Sequence, residues 1–156
     1  MSTDRIDLAV HLDEPTEPRE PGRHLRQWWI AVTASLVAAI FAEAVFAGAM
    51  LSGAGWARAA HSVNAVILIA STVTAGLVAA ITLRRIPHGA KLAFALLSLA
   101  AVLLIQAVAG KSVAAGVNLL WLHVPLGVAL LGFAAQAVAV ARGLGGDSSE
   151  AHRVRM

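Results

Sequence analysis

The stretch from Trp28 to Ala141 contains a single acidic residue, Glu43, in otherwise mostly apolar sequence. Only 13% of the whole chain is charged and 58% is hydrophobic, whereas a typical soluble domain is about 25% charged and about 45–50% apolar. A stretch with so few charges cannot form a water-exposed surface, so we expect a membrane protein. The length of 156 residues allows one small domain with short tails.

Four apolar runs, at 28–51, 61–83, 91–110 and 119–141, are each long enough to cross a membrane. A helix rises about 1.5 Å per residue, and the hydrocarbon core is about 30 Å thick. The short connections favour antiparallel neighbours. The sequence therefore predicts an all-α fold, an antiparallel bundle of four transmembrane helices at 27–142. Residues 1–26 are rich in charge and proline and are expected to be a disordered cytoplasmic tail, and residues 143–156 a second cytoplasmic tail.

Lysine and arginine residues cluster at one end of the predicted bundle. Most of them precede the first run, flank the second connection or follow the fourth run: Arg19, Arg23, Arg26, Arg84, Arg85, Lys91 and Arg142. The positive-inside rule then predicts a multi-pass protein of the plasma membrane with both termini in the cytoplasm. Because the bases form no stripe with interleaved aromatics, we expect the lipid bilayer, and no nucleic acid, as the partner.

Polar residues inside the apolar runs are costly in a membrane and therefore point to function. His61 opens the second run and His123 lies early in the fourth, at matched depth in the outer half. Facing side chains of four-helix bundles commonly build cofactor sites, and two imidazoles across an apolar bundle suit the axial positions of a haem iron. The chain has no cysteine, which excludes thiolate metal sites and covalently attached haem. We therefore predict one haem b between helices 2 and 4, with His61 and His123 as iron ligands.

Three further polar residues are predicted to line the same pocket. Asn64 follows His61 by one helical turn, and Glu43 and Gln106 lie on the first and third helices. An ionised carboxylate in a membrane helix costs about 2.5–3.5 kcal/mol, so Glu43 needs a partner. Three roles stay open for it: an acceptor that orients a ligating histidine, a proton-accepting group, or a hydrogen-bond partner of Gln106.

The two halves of the chain resemble each other. Glu43 precedes His61 by 18 residues, and Gln106 precedes His123 by 17. The sequence Ala-Val follows both Glu43 and Gln106, and a tryptophan stands shortly before each histidine. This spacing predicts two pseudo-repeated helical hairpins, related by an axis along the membrane normal.

Two segments carry a family resemblance: GAMLSGAGW at 48–56 ahead of His61, and WLHVPLG at 121–127 around His123. They resemble one four-helix half of the haem A synthase family and, more closely, small four-helix integral membrane proteins of actinobacteria. Each half of a haem A synthase carries a histidine pair that ligates haem, which implies that role for His61 and His123. The family's acidic residue ahead of the first histidine is replaced here by Arg58-Ala59-Ala60, and its cysteines are absent. The resemblance therefore implies haem binding more than haem A synthesis.

Two classes of function follow from this reading. The first is a small membrane b-type cytochrome for electron transfer, with quinol or a redox protein as its partner. The second is a non-redox accessory or scaffold subunit without cofactor, in which the polar residues only join helices. A proton-coupled transporter that uses Glu43 is a further alternative, although the chain has no second intramembrane charge. Whether the protein is an enzyme and whether it forms a homodimer are left open by the sequence.

Overall fold

The structure, a computed structural model, describes residues 21–145. This part of the chain folds into four α-helices: α1 (Pro21–Leu51), α2 (Ala57–Thr82), α3 (Gly89–Ala114) and α4 (Leu120–Arg142). Each is long and apolar enough to cross a membrane. The predicted all-α four-helix fold is confirmed, and the chain is a multi-pass membrane protein. Residues 1–20 and 146–156 of the two predicted tails lie outside the described residues.

Three helices begin earlier than the apolar runs: α1 and α2 by a turn or more, and α3 by two residues. α1 starts at Pro21, before the predicted boundary at 27, because proline is well suited to the first position of a helix. The added turns carry Arg23 and Arg26, whose long side chains can reach the headgroup region. α2 starts at Ala57, so His61 lies in its second turn and does not open the helix.

The four helices pack in a square. α1 contacts α2 and α4, and α3 contacts the same two helices, so α2 and α4 lie on one diagonal. We call the end with loops 52–56 and 115–119 the hairpin end, because these loops close the α1–α2 and α3–α4 hairpins. The opposite end, with the start of α1, loop 83–88 and the end of α4, is the basic end. A ligand between α2 and α4 would lie near the centre of the square.

The first helices of the two hairpins end in the same Schellman cap. In α1 the N–H of Gly53 donates to Met50 and that of Ala54 to Ala49. In α3 the N–H of Gly116 donates to the carbonyl of Val113, and that of Val117 donates to the carbonyl of Ser112. The two cap glycines have φ of 85° and 89°, a left-handed conformation that favours glycine. They are 63 residues apart, as are Glu43 and Gln106, so the caps and these two polar residues hold corresponding positions in the two hairpins.

The tightly packed core lies in the half of the bundle towards the basic end. Its largest fully buried side chains are Trp29, Thr33, Leu68, Thr72, Leu83, Leu92, Leu96 and Leu99. The two threonine hydroxyls donate to carbonyls one turn back in their own helices, so they bring no unpaired donor into the core. At Gly76 an added Cβ would lie 2.7 Å from Leu97 Cδ2. The absence of a side chain there therefore lets α2 and α3 approach closely.

Candidate functional site

A carboxylate and an imidazole meet between α1 and α2 in the hairpin half. Glu43 Oε2 lies 2.6 Å from His61 Nδ1, an ion-pair contact in which the ring N–H is not aligned for a regular hydrogen bond. The Glu43 side chain is 17% exposed and that of His61 is 26% exposed, so most of the surface of both side chains is covered by the rest of the protein. In a membrane such a pair satisfies two polar groups that would each be costly alone.

Asn64 completes this group on the next turn of α2. Its Nδ2 donates to Glu43 Oε1 at 2.6 Å and to the backbone carbonyl of Ala39 at 3.0 Å. Both hydrogens of the amide are therefore used, and both oxygens of Glu43 have a partner. Because Ala39 and Glu43 are one turn apart on α1, this one side chain ties the two helices together at the level of His61.

The contact with Glu43 decides which nitrogen of His61 is available to a ligand. A carboxylate facing Nδ1 favours the tautomer that carries its hydrogen on Nδ1 and leaves a lone pair on Nε2. Histidine ligands of metal ions commonly donate their other N–H to a carboxylate, which fixes the ring and raises its basicity. Of the three roles open to Glu43, the geometry favours the acceptor that orients a histidine.

The second histidine lies against α3 where that helix has no side chain. An added Cβ on Gly110 would lie 2.9 Å from His123 Cε1, so only glycine leaves room for the ring in this position. His123 Nδ1 is buried without a hydrogen-bond partner in the structure. A buried polar atom of this kind is uncommon and is a place where a bound group can supply the missing interaction.

Gln106 does not pair with Glu43. Its Nε2 donates to the backbone carbonyl of His123 at 2.8 Å, while its Oε1 is buried without a partner in the structure. An added Cβ on Gly127 would lie 3.1 Å from Gln106 Nε2, so glycine at this position gives the amide its path to the carbonyl. The hydrogen bond between Gln106 and Glu43, one of the three predicted roles, is therefore not formed.

A one-residue difference in register explains why the two hairpins differ here. α2 and α4 begin 63 residues apart, as Glu43 and Gln106 do, but the two histidines are 62 residues apart. One residue turns a side chain by about 100° around the helix axis, since a turn holds about 3.6 residues. The ring of His61 therefore meets Glu43, whereas Gln106 meets the backbone of His123.

The hairpin half around these residues is sparsely packed. Within 43–65 and 106–127 the only buried residues are Ala57 and Ala109. Within residues 21–145 no group of three or more His, Cys, Asp or Glu side chains is placed to hold a metal ion. The donor set is thus two imidazoles on opposite helices, which suits the two axial positions of a haem better than a four-coordinate metal ion.

The structure brings all five predicted site residues into two separate groups, Glu43–His61–Asn64 and Gln106–His123. Sequence reasoning did not identify Gly110 and Gly127 as residues that shape the site. A glycine in an apolar helix usually serves close helix packing, so the sequence alone does not distinguish these two from other glycines. The signal that could have identified them is their spacing from His123 and Gln106, which becomes informative once the facing sides of α3 and α4 are known.

No match to the chain was found among protein-family models, curated proteins or solved structures. The resemblance to haem A synthases therefore stays a prediction. We therefore infer the function from the geometry of the site and the chemistry of its residues.

Proposed function

We propose that this protein is a small b-type membrane cytochrome that holds one haem between α2 and α4, with His61 and His123 as axial ligands. The observation that carries the proposal is the orientation of His61 by Glu43, because it leaves Nε2 available for iron. The buried and unpartnered Nδ1 of His123, whose ring lies against Gly110, supports it from the opposite helix.

Haem supplies reversible one-electron chemistry at its iron when it is bound. The residues of the chain position it. Glu43 and Asn64 fix the ring of His61, Gly110 gives His123 its place, and Gln106 holds the backbone at His123. The apolar surfaces of the helices exclude water, which raises the effect of nearby charges such as Glu43 on the cofactor.

The position and partners of the protein are part of the same proposal. We place it in the plasma membrane with both termini in the cytoplasm, because the positive-inside rule favours cytoplasmic loops rich in Lys and Arg. The haem then lies in the outer half of the bilayer. A membrane quinol or a redox protein that docks at the hairpin end would exchange electrons with it.

The test is an absorption spectrum of the detergent-purified protein, first oxidised and then reduced with dithionite, after expression in a haem-replete host. A Soret band with sharp α and β bands on reduction is expected, since two imidazoles give low-spin haem. His61→Ala and His123→Ala should each remove these bands. His24→Ala, an exposed histidine in the first turns of α1, is the matched control and should retain them.

Two results would contradict the proposal. The first is a featureless visible spectrum that does not change on titration with haemin, which favours an accessory or scaffold subunit. The second is retention of the low-spin bands in both ligand variants. Circular dichroism of each variant must show the same helix content as the parent, so that loss of haem is not confused with loss of fold.

The orientation of the protein in the membrane can be tested separately. The chain has no cysteine, so a single Ser52→Cys variant in the α1–α2 loop gives one thiol for labelling. In whole cells a membrane-impermeant maleimide should label it, whereas a cysteine in place of Pro87, in the α2–α3 loop, should react only after the membrane is permeabilised. The reverse pattern would place the haem site in the cytoplasmic half.

A further inference from the structure

A groove runs along the outside of α4 in the basic half. It has a volume of about 620 Å³ and is lined mainly by small residues of α4 between Gly132 and Gly143, within the range of about 300–1,000 Å³ for ligand sites. His88, from the α2–α3 loop, lines its end. Gly132 and Gly143 are separated by about 16 Å along the axis, which is close to half of the roughly 30 Å hydrocarbon core. The groove therefore has the length of one leaflet.

The charged residues beside the groove are all basic. Loop 83–88 and the end of α4 meet there, since His88 lies beside Gly143. Arg84 and Arg85 belong to this loop, Arg142 immediately precedes Gly143, and all three are exposed. The only acidic residue within 21–145 is Glu43, in the other half of the bundle. An anionic group would thus meet cations without competition from a carboxylate of the described chain.

Gln136 adds a polar group inside the groove. It is exposed on α4, within the part of that helix that is apolar enough to cross a membrane. A hydrogen-bond acceptor on a bound molecule would stabilise an amide N–H in this position, because hydrocarbon offers no acceptor. The ester carbonyls of a glycerophospholipid are acceptors near this depth. The groove therefore has exposed arginines on the two segments that meet at its basic end, an amide donor within it, and a surface of small residues along the rest of its length.

We propose that this groove binds an anionic phospholipid of the leaflet at the basic end. Arg84, Arg85 and Arg142 would contact its phosphate and headgroup, and one acyl chain would lie along the small residues of α4. Basic sites beside membrane helices are well suited to anionic headgroups. This inference is independent of the proposed haem, because the groove and the histidine site lie in different halves of the bundle.

The experiment is native mass spectrometry of the full chain released from vesicles of equimolar phosphatidylglycerol and phosphatidylcholine. The parent protein should retain one phosphatidylglycerol in preference to phosphatidylcholine. Arg84→Gln combined with Arg142→Gln should reduce that preference by roughly tenfold or more. The matched control is Arg58→Gln combined with Lys111→Gln, which removes two cations from the hairpin end and should leave the preference unchanged.

A second pair of variants tests the groove itself. Ala139→Leu fills it and should abolish retention of the lipid, while Ala129→Leu, at an exposed position of α4 nearer the hairpin end, should not. Equal retention of both lipids by the parent protein would overturn the inference. So would a dimer that Ala139→Leu dissociates, because the groove would then be an interface between two copies of the chain. The charge variants keep the test decisive if a leucine variant fails to fold.

Discussion

The two halves of the bundle are built differently. In the basic half, large side chains such as Trp29, Leu92 and Leu96 are almost completely buried between the helices. In the hairpin half, the groups that face one another are polar or very small, and only two alanines are buried within 43–65 and 106–127. The basic half holds the fold together, and the hairpin half provides a site. Separating the two tasks lets the site remain loosely packed without loss of the fold.

The largest effect is expected from removing a core side chain in the basic half. Leu96→Ala empties the space of a fully buried residue and should lower the free energy of unfolding by about 2–3 kcal/mol, mostly through lost packing contacts. Titration with a denaturing detergent, followed by circular dichroism, measures the change. Leu104→Ala, at a residue that is 50% exposed, is the control and should change stability little. Equal effects of the two variants would contradict the placement of the core.

Gly76 offers a test of close helix packing in the same half. A methyl group on this residue would meet the side chain of Leu97 at 2.7 Å and its backbone nitrogen at 3.3 Å. Gly76→Ala should therefore destabilise the protein by about 1–3 kcal/mol through overpacking. The same titration applies. Gly48→Ala, in the hairpin half where an added Cβ meets nothing within 4 Å, should be neutral or slightly stabilising.

In the hairpin half, Glu43→Ala should affect the cofactor more than the fold. Removing the acceptor of His61 Nδ1 should weaken haem binding by about 10–100-fold, the usual cost of losing a group that orients a ligand. Titration of the haem-free protein with haemin measures this. Glu43→Gln keeps an acceptor oxygen and should lie between the parent and the alanine variant. Its haem should also have a higher reduction potential, since the imidazole loses an anionic partner. An unchanged potential would contradict the role given to Glu43.

The smallest effect is expected from Gly110→Ala. The new methyl group would displace the ring of His123, which can rotate, so the helices need not move. Haem affinity should fall by several-fold, with helix content unchanged. Gly48→Ala again serves as the control, because Gly48 lies in the hairpin half of α1 and an added Cβ there meets nothing within 4 Å. Unchanged affinity in Gly110→Ala would show that the contact between Gly110 and His123 has no part in the site.

The four helices could be predicted from the sequence more completely than the contacts of the site. The four helices follow from hydropathy and length alone, because backbone groups in a bilayer must be satisfied within each segment. The grouping of Glu43, His61 and Asn64 follows from helical spacing and the cost of polar groups in lipid. The partner of Gln106 could not be predicted in the same way. It depends on a shift of one residue between the hairpins, and on which sides of α3 and α4 face each other.

The central claim is that the loosely packed hairpin half holds one haem between His61 and His123. Its most direct test combines the haem content per chain with the electron paramagnetic resonance spectrum of the oxidised protein. One haem per chain and a low-spin ferric signal typical of two imidazole ligands are expected. A haem content no higher than that of the protein carrying both His61→Ala and His123→Ala would contradict it.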